Sequence, residues 1–152
     1  MSSQTIDILN KILQGEQMAI DLYEIFLSKI DNNYLNQQLG SIQKEHYKHQ
    51  HILMERITEL GGRPQKTVKG LLVSKMTELI ARAKTTIYTD YVDILKDLAN
   101  GQLMGIDKTQ QIIYDRLEKA DLAMVRCILS QEIEHIRKLK MLAAELEQQR
   151  IH

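Results

Sequence analysis

A single cysteine, Cys127, excludes an internal disulfide framework and any metal site built from four cysteines. There is one proline, Pro64, no tryptophan, and only 5% aromatic residues in all. Turn signals are correspondingly few, while Leu, Ile, Ala, Lys, Gln and Glu are abundant, which points to long helices and against a sheet protein. Neither sign of charge is in excess: Lys and Arg number 20, as do Asp and Glu. No basic field exists to attract nucleic acid or anionic lipid, so no nucleic-acid partner is expected. No apolar run approaches the roughly 20 residues that a bilayer-crossing helix needs. The start, Met1 to Thr5, lacks the basic region and apolar stretch of a secretory signal, and a cytoplasmic protein is expected.

The 152 residues suit one domain, 1–152, with length enough for a proper core. Apolar residues recur at three- and four-residue steps through four segments, at about 6–30, 34–60, 89–118 and 121–149. The first carries Leu9, Ile12, Leu13, Ile20, Leu27 and Ile30 on one face, the second Leu35, Leu39, Ile42, Leu53, Ile57 and Leu60. Asp31-Asn32-Asn33 supplies a turn and a cap between them. Gly61-Gly62-Arg63-Pro64 ends the second segment, because glycine accepts the left-handed cap conformation and proline cannot continue a helix. The link from Pro64 to Tyr88 is long, with a short helix expected at about 71–83.

Short turns make the first pair, at about 5–60, and the last pair, at about 89–149, antiparallel hairpins. The sequence thus predicts an all-α, antiparallel four-helix bundle whose second and third helices are joined by a crossover along its length. An up-and-down bundle with a slack middle loop is the competing topology.

The two halves repeat one another. Asp7, Ile8, Leu9, Gly15, Met18, Ile20 and Asp21 recur without a gap as Asp93, Ile94, Leu95, Gly101, Met104, Ile106 and Asp107, an offset of 86. The same offset carries His49 onto His135, Glu16 onto Gln102 and His46 onto Glu132. Two related trios follow: Glu16, His46 and His49, and Gln102, Glu132 and His135.

Helical geometry tests that pairing independently. At about 100° per residue, His46 and His49 fall inside the second segment's apolar stripe, with Glu45 at its flank and His51 on the opposite face. Glu16 interrupts the row from Ile12 to Ile20, and Gln102 lies in line with Leu95, Leu98, Ile106 and Ile113. Glu132 and His135 interrupt Val125, Ile128, Leu139, Leu142 and Leu146. Six polar side chains therefore point inward near mid-helix. A buried neutral group without a partner costs about 1–3 kcal/mol, and a bare carboxylate more. Two carboxylates and three imidazoles form a ligand set for iron, manganese or zinc. A hydrogen-bonded Glu–His–Gln network with trapped water is the alternative.

At these residues the chain resembles the ferritin-like superfamily, of which bacterioferritin and rubrerythrin are familiar members, and resembles small bacterial ferritin-like families more closely still. Gly15-Glu16 with Tyr23 seven residues on resembles the family's first helix, and Glu132-Ile133-Glu134-His135 its Glu-x-x-His. The stretch from His49 to Pro64 resembles the end of its second helix. The resemblance implies that Glu16 is a terminal ligand, that Glu132 bridges two metals, that His135 completes one of them, and that Tyr23 sits beside the site. Two positions depart: His46 and Gln102 stand where the family has glutamates. The remaining two carboxylates cannot neutralise a pair of divalent ions, and excess charge in a low-dielectric core is strongly unfavourable. The site is therefore expected to favour a single or divalent metal over iron oxidation, or to be vestigial. A third carboxylate, Glu45, would enter only if the second helix were rotated or bulged.

Met18 and Met104 read as packing residues rather than haem ligands, so no haem is expected. Arg137, Lys138 and Lys140 read as a solvated face, and Cys127 carries no assigned chemistry. The functional expectation is a non-haem metal protein with redox or oxygen/peroxide chemistry of the oxidoreductase type. Its ligands would be Glu16, His46, His49, Gln102, Glu132 and His135, with Tyr23 and Glu45 behind them. A non-catalytic interaction or stress protein is the alternative, and an iron-storage cage is the weakest reading. A homodimer is expected from the superfamily's habit.

Overall fold

The structure is a computed structural model that describes residues 2–67 and 75–151. Five helices follow one another: α1 (Ser2–Leu27), α2 (Asn33–Glu59), the short α3 (Lys75–Thr85), α4 (Tyr91–Ile113) and α5 (Lys119–Ile151). No strand occurs among the described residues. The short crossover helix lies near its expected place, although residues 71–74 of that expectation fall outside the described residues.

The helix ends follow local chemistry. Asn32 caps α2 by accepting a hydrogen bond from the Leu35 backbone N–H at 3.0 Å, and Asp90 caps α4 by accepting from Val92 at 2.9 Å. At the other end of α2, Gly61 adopts φ 84°, and Gly61 and Gly62 donate back to the carbonyls of Thr58 and Ile57. That is a Schellman closure, and it needs a residue free of a Cβ penalty in the left-handed region. The expected reach of the third long helix to about 118 is corrected: α4 stops at Ile113. Asp115 turns the chain there with φ 54°, a conformation that Asp tolerates better than most residues.

Two apolar clusters cap the two ends of the bundle and fix its connectivity. One joins the end of α1 (Leu22, Phe26), the start of α2 (Leu35, Leu39), the start of α4 (Ile94, Leu98) and the end of α5 (Leu139, Leu142). The other joins the start of α1 (Leu9, Leu13), the end of α2 (Leu53, Ile57), the end of α4 (Ile106) and the start of α5 (Val125, Ile128). Hence α4 begins at the end of the bundle opposite to where α2 stops. An up-and-down bundle would begin it at the same end, so the link between them is a crossover.

Hydrogen bonds hold that link at both ends. The Asn10 amide donates to the Arg63 carbonyl and accepts from the Gln65 N–H, near the start of α1. Near the other end of α1, Lys29 donates to the Thr86 carbonyl, and the Asp31 N–H donates to the Tyr91 hydroxyl. Between them, α3 packs on α1 and α4, while α2 and α5 touch only sparingly. The polar positions picked out by the repeat lie between the two apolar clusters, at mid-bundle.

Candidate metal centre

All six inward polar residues are buried: Glu16, His46, His49, Gln102, Glu132 and His135. Four helices contribute them, α1 through Glu16, α2 through the histidine pair three residues apart, α4 through Gln102 and α5 through the Glu132/His135 pair. Spacings of three residues put both members of a pair on one helix face.

They resolve into a compact four and an attached two. Glu16, His46, His49 and Glu132 can each offer one ligand atom such that all four atoms lie within 4.8 Å of one another. His46 Nδ1 is 2.5 Å from Glu16 Oε2 and 4.0 Å from Glu132 Oε1. His49 Nδ1 is 3.4 Å from Glu16 Oε1 and 3.9 Å from Glu132 Oε1. His135 and Gln102 stand next to this group: the Gln102 amide nitrogen is 3.0 Å from His135 Nδ1 and also reaches the Glu132 carbonyl.

The outer contacts repeat with the sequence. His49 Nε2 pairs with Gln131 Oε1, and His135 Nε2 pairs with Glu45 Oε2. Since the offset of 86 carries His49 onto His135 and Glu45 onto Gln131, these are one contact made twice about a pseudo-two-fold axis. Each outer acceptor takes the Nε2–H of its histidine and so assigns the inward Nδ1 as the lone-pair nitrogen. This is how proteins orient histidines towards a metal. Glu45 thus acts behind the site from its flank position, with no rotation or bulge of α2. Gln131 was not singled out from the sequence, although the repeat itself points to it as the partner of Glu45.

Two imidazole nitrogens of the site have no hydrogen-bond partner. His46 Nε2 and His49 Nδ1 are buried and unsatisfied, as is the Tyr23 hydroxyl, whose ring lies 5.5 Å from that of His46. A buried unsatisfied polar atom is costly and calls for an unseen partner such as an ion or water. Protonation is a poor answer for His46, because burial pushes its pKa down to about 4 despite the opposing pull of Glu132.

Burial, and after it the charge of Glu16, holds the Glu132 carboxyl well above the usual carboxylate range. For His49 burial is again the largest influence and pushes downward. Glu16, Gln131 and Glu132 together outweigh it, so its pKa rises. Burial also lowers His135, which its bond to Glu45 only partly offsets, and burial raises the Tyr23 phenol far above its ordinary value. Two carboxylates that repel each other, with the Nδ1 atoms of His46 and His49 turned towards both, form a set that a cation would complete. The residues present fit a metal ion.

The family described as "Domain of unknown function (DUF2383)" matches residues 4–115. The chain belongs to the DUF2383 family. The matched segment carries Glu16, His46, His49 and Gln102 of the DUF2383 member, while Glu132 and His135 lie beyond it on α5. No curated protein matches the chain. Among solved structures, it is similar to a protein described as ferritin-like and diiron-carboxylate from Bacillus anthracis str. Ames. The TM-score is 0.55 at 19% identity, covering 97% of this chain and 95% of that one. The fold of this DUF2383 member is therefore ferritin-like.

The remaining expectations from sequence find their places as follows. His51 is exposed and paired with Glu55 one turn on, and Cys127 is exposed. Met18 and Met104 are half-buried. Arg137 and Lys140 face solvent, with Lys138 half-buried. No helix among the described residues is long and apolar enough to cross a membrane.

Proposed function

We propose that this DUF2383 member is a metal-binding protein that holds one divalent transition-metal ion with Glu16, His46, His49 and Glu132. The observation that carries this reading is the compact buried set itself: four ligand atoms within 4.8 Å of one another, with the unpartnered His49 Nδ1 turned to both carboxylates. Charge sets the number of ions. Two carboxylates and neutral imidazoles balance one divalent cation, whereas a second would leave two positive charges in a low-dielectric core. Gln102 and His135 occupy the related half-site, and there an amide replaces the carboxylate that a second ion would need.

The donor set of two imidazoles and two carboxylates suits iron, manganese or zinc. Iron or manganese bound here would supply one-electron redox chemistry towards dioxygen or peroxide, the role we assign in preference to a structural one. The chain's own residues prepare the site. Gln131 orients His49 through Nε2 and keeps Nδ1 turned inward. Burial and Glu16 oppose ionisation of Glu132 in the metal-free site, and an arriving cation favours it.

Elemental analysis of protein purified without added metal tests this reading. We expect about one ion per chain, since binding of a structural or catalytic metal at such a site is strongly favourable. A Glu132→Ala variant should lose most of it. Sub-stoichiometric metal that the variant leaves unchanged would overturn the proposal. Protein that holds metal but does not accelerate Fe(II) oxidation, with or without peroxide, would retain the binding role and remove the redox one.

A further inference from the structure

A small cavity of about 30 Å³ lies between α1 and α4, and it runs inward to the residues of the metal centre. Its floor is Glu16, His46, Gln102 and Glu132, all buried. Its rim is different in kind: Gly15 is exposed, and Gly105, Thr109 and Met76 are half-buried. A Cβ added at either Gly15 or Gly105 would meet no atom within 4 Å. The absence of side chains there thus leaves space beside the passage rather than allowing helices to touch. By contrast, a Cβ at Gly101 would come to 3.0 Å from Leu22, so that glycine serves packing.

The repeat relates much of the cavity lining in pairs, Glu16 with Gln102 and His46 with Glu132 among them. The offset of 86 carries Tyr23 onto Thr109 and Ala19 onto Gly105. Ala19 and Gly105 both line the cavity, whereas Thr109 lines it and its partner, the fully buried Tyr23, does not. His46, whose Nε2 has no partner, is one of the floor residues.

We propose that this cavity is the port through which a small exogenous ligand reaches the metal site, and that Gly15, Gly105 and Thr109 set its bore. The inference rests on the metal-binding reading above. Three of the four proposed ligand residues face the cavity, so an ion there has a coordination side turned towards it, the mark of a reactive rather than a closed site. At about 10–15 Å³ of such volume for each water-sized group, the cavity takes ligands of about two or three non-hydrogen atoms. Diatomic and triatomic ligands pass, and an organic acid does not. A wider groove of about 440 Å³ between α2 and α5 also approaches the centre, but it ends on His135 and Glu45, whose Nε2–carboxylate contact closes its floor.

Cobalt(II)-loaded protein provides the test through its ligand-field spectrum, with azide as the small probe and benzoate as the large one. Azide should shift the spectrum and benzoate should not. Gly105→Leu should keep the cobalt stoichiometry and slow azide association roughly tenfold, equivalent to about 1.4 kcal/mol of barrier. Gly15→Leu, on the opposite wall, gives a second obstruction should the first variant fold poorly. Ser130→Leu, in the α2–α5 groove, should leave azide association as in the natural protein. Benzoate binding as readily as azide, or unchanged azide rates in both glycine variants, would overturn the port. Natural protein that takes up no cobalt would overturn the metal reading itself, a result distinguishable from the others.

Discussion

His46 occupies a position where its chemistry and its surroundings pull apart. Its pKa drops from its ordinary value of 6.5 to about 4, because burial penalises the imidazolium more than Glu132 favours it. Between those values the unfolded chain binds more protons at this residue than the folded one. The contribution of His46 to stability is therefore complete above about pH 6.5 and is lost as pH falls towards 4, by up to about 1.4 kcal/mol per pH unit. Glu132 acts in the opposite sense, since its raised pKa makes the folded state costlier as pH rises. Comparing metal-free natural protein with His46→Gln by urea denaturation at several pH values isolates the first effect. The stability difference between them should shrink as the solution is acidified from pH 6.5 to 4. A difference that is flat with pH would show that His46 does not titrate as described. Ion uptake should in turn displace protons, because a cation favours ionised Glu132, and the release is measurable as buffer-dependent heat in calorimetry. Equal heats in buffers of different ionisation enthalpy would contradict it.

The helices and their inward faces were legible in the sequence because burial imposes a helical period on apolar residues, and the same period singled out Glu16, His46, His49, Gln102, Glu132 and His135. Gly61 and Asn32 announced the ends of α2 through chemistry confined to one turn. Asn32→Ala should cost about 1 kcal/mol of stability through the lost cap. Gly61→Ala should cost about 1–2 kcal/mol through its left-handed backbone. Chemical denaturation checks both, and a loss under a few tenths of a kcal/mol would deny the caps their role. The end of α4 was less legible. Nothing in the pattern of apolar residues marks Asp115, whose φ of 54° is a choice of the turn rather than of the core. The division of the six residues into four and two was also beyond reach, because periodicity gives a face and a level but no interatomic distance. Gln131 is exposed and carries no apolar signal, so only its repeat relation to Glu45 could have revealed it.

Across the whole molecule the internal repeat explains both the symmetry of the site and its departure from symmetry. The mirrored His49–Gln131 and His135–Glu45 contacts keep the two half-sites alike in their outer parts. The exchanges of Glu16 for Gln102 and His46 for Glu132 make them unlike at the centre. If charge limits the number of ions, restoring carboxylates should lift that limit. Gln102→Glu combined with His46→Glu should raise bound divalent metal from about one to about two per chain, following the balance of buried charges. An unchanged stoichiometry in a folded double variant would mean that geometry, and not charge, sets the number.

The central claim is that Glu16, His46, His49 and Glu132 together hold one metal ion. A zinc-loaded crystal measured on both sides of the zinc absorption edge tests it most directly. The account predicts a single anomalous peak in each chain, bounded by those four side chains at about 2.0–2.2 Å. A peak elsewhere, or none in crystals grown with zinc in excess, would contradict it.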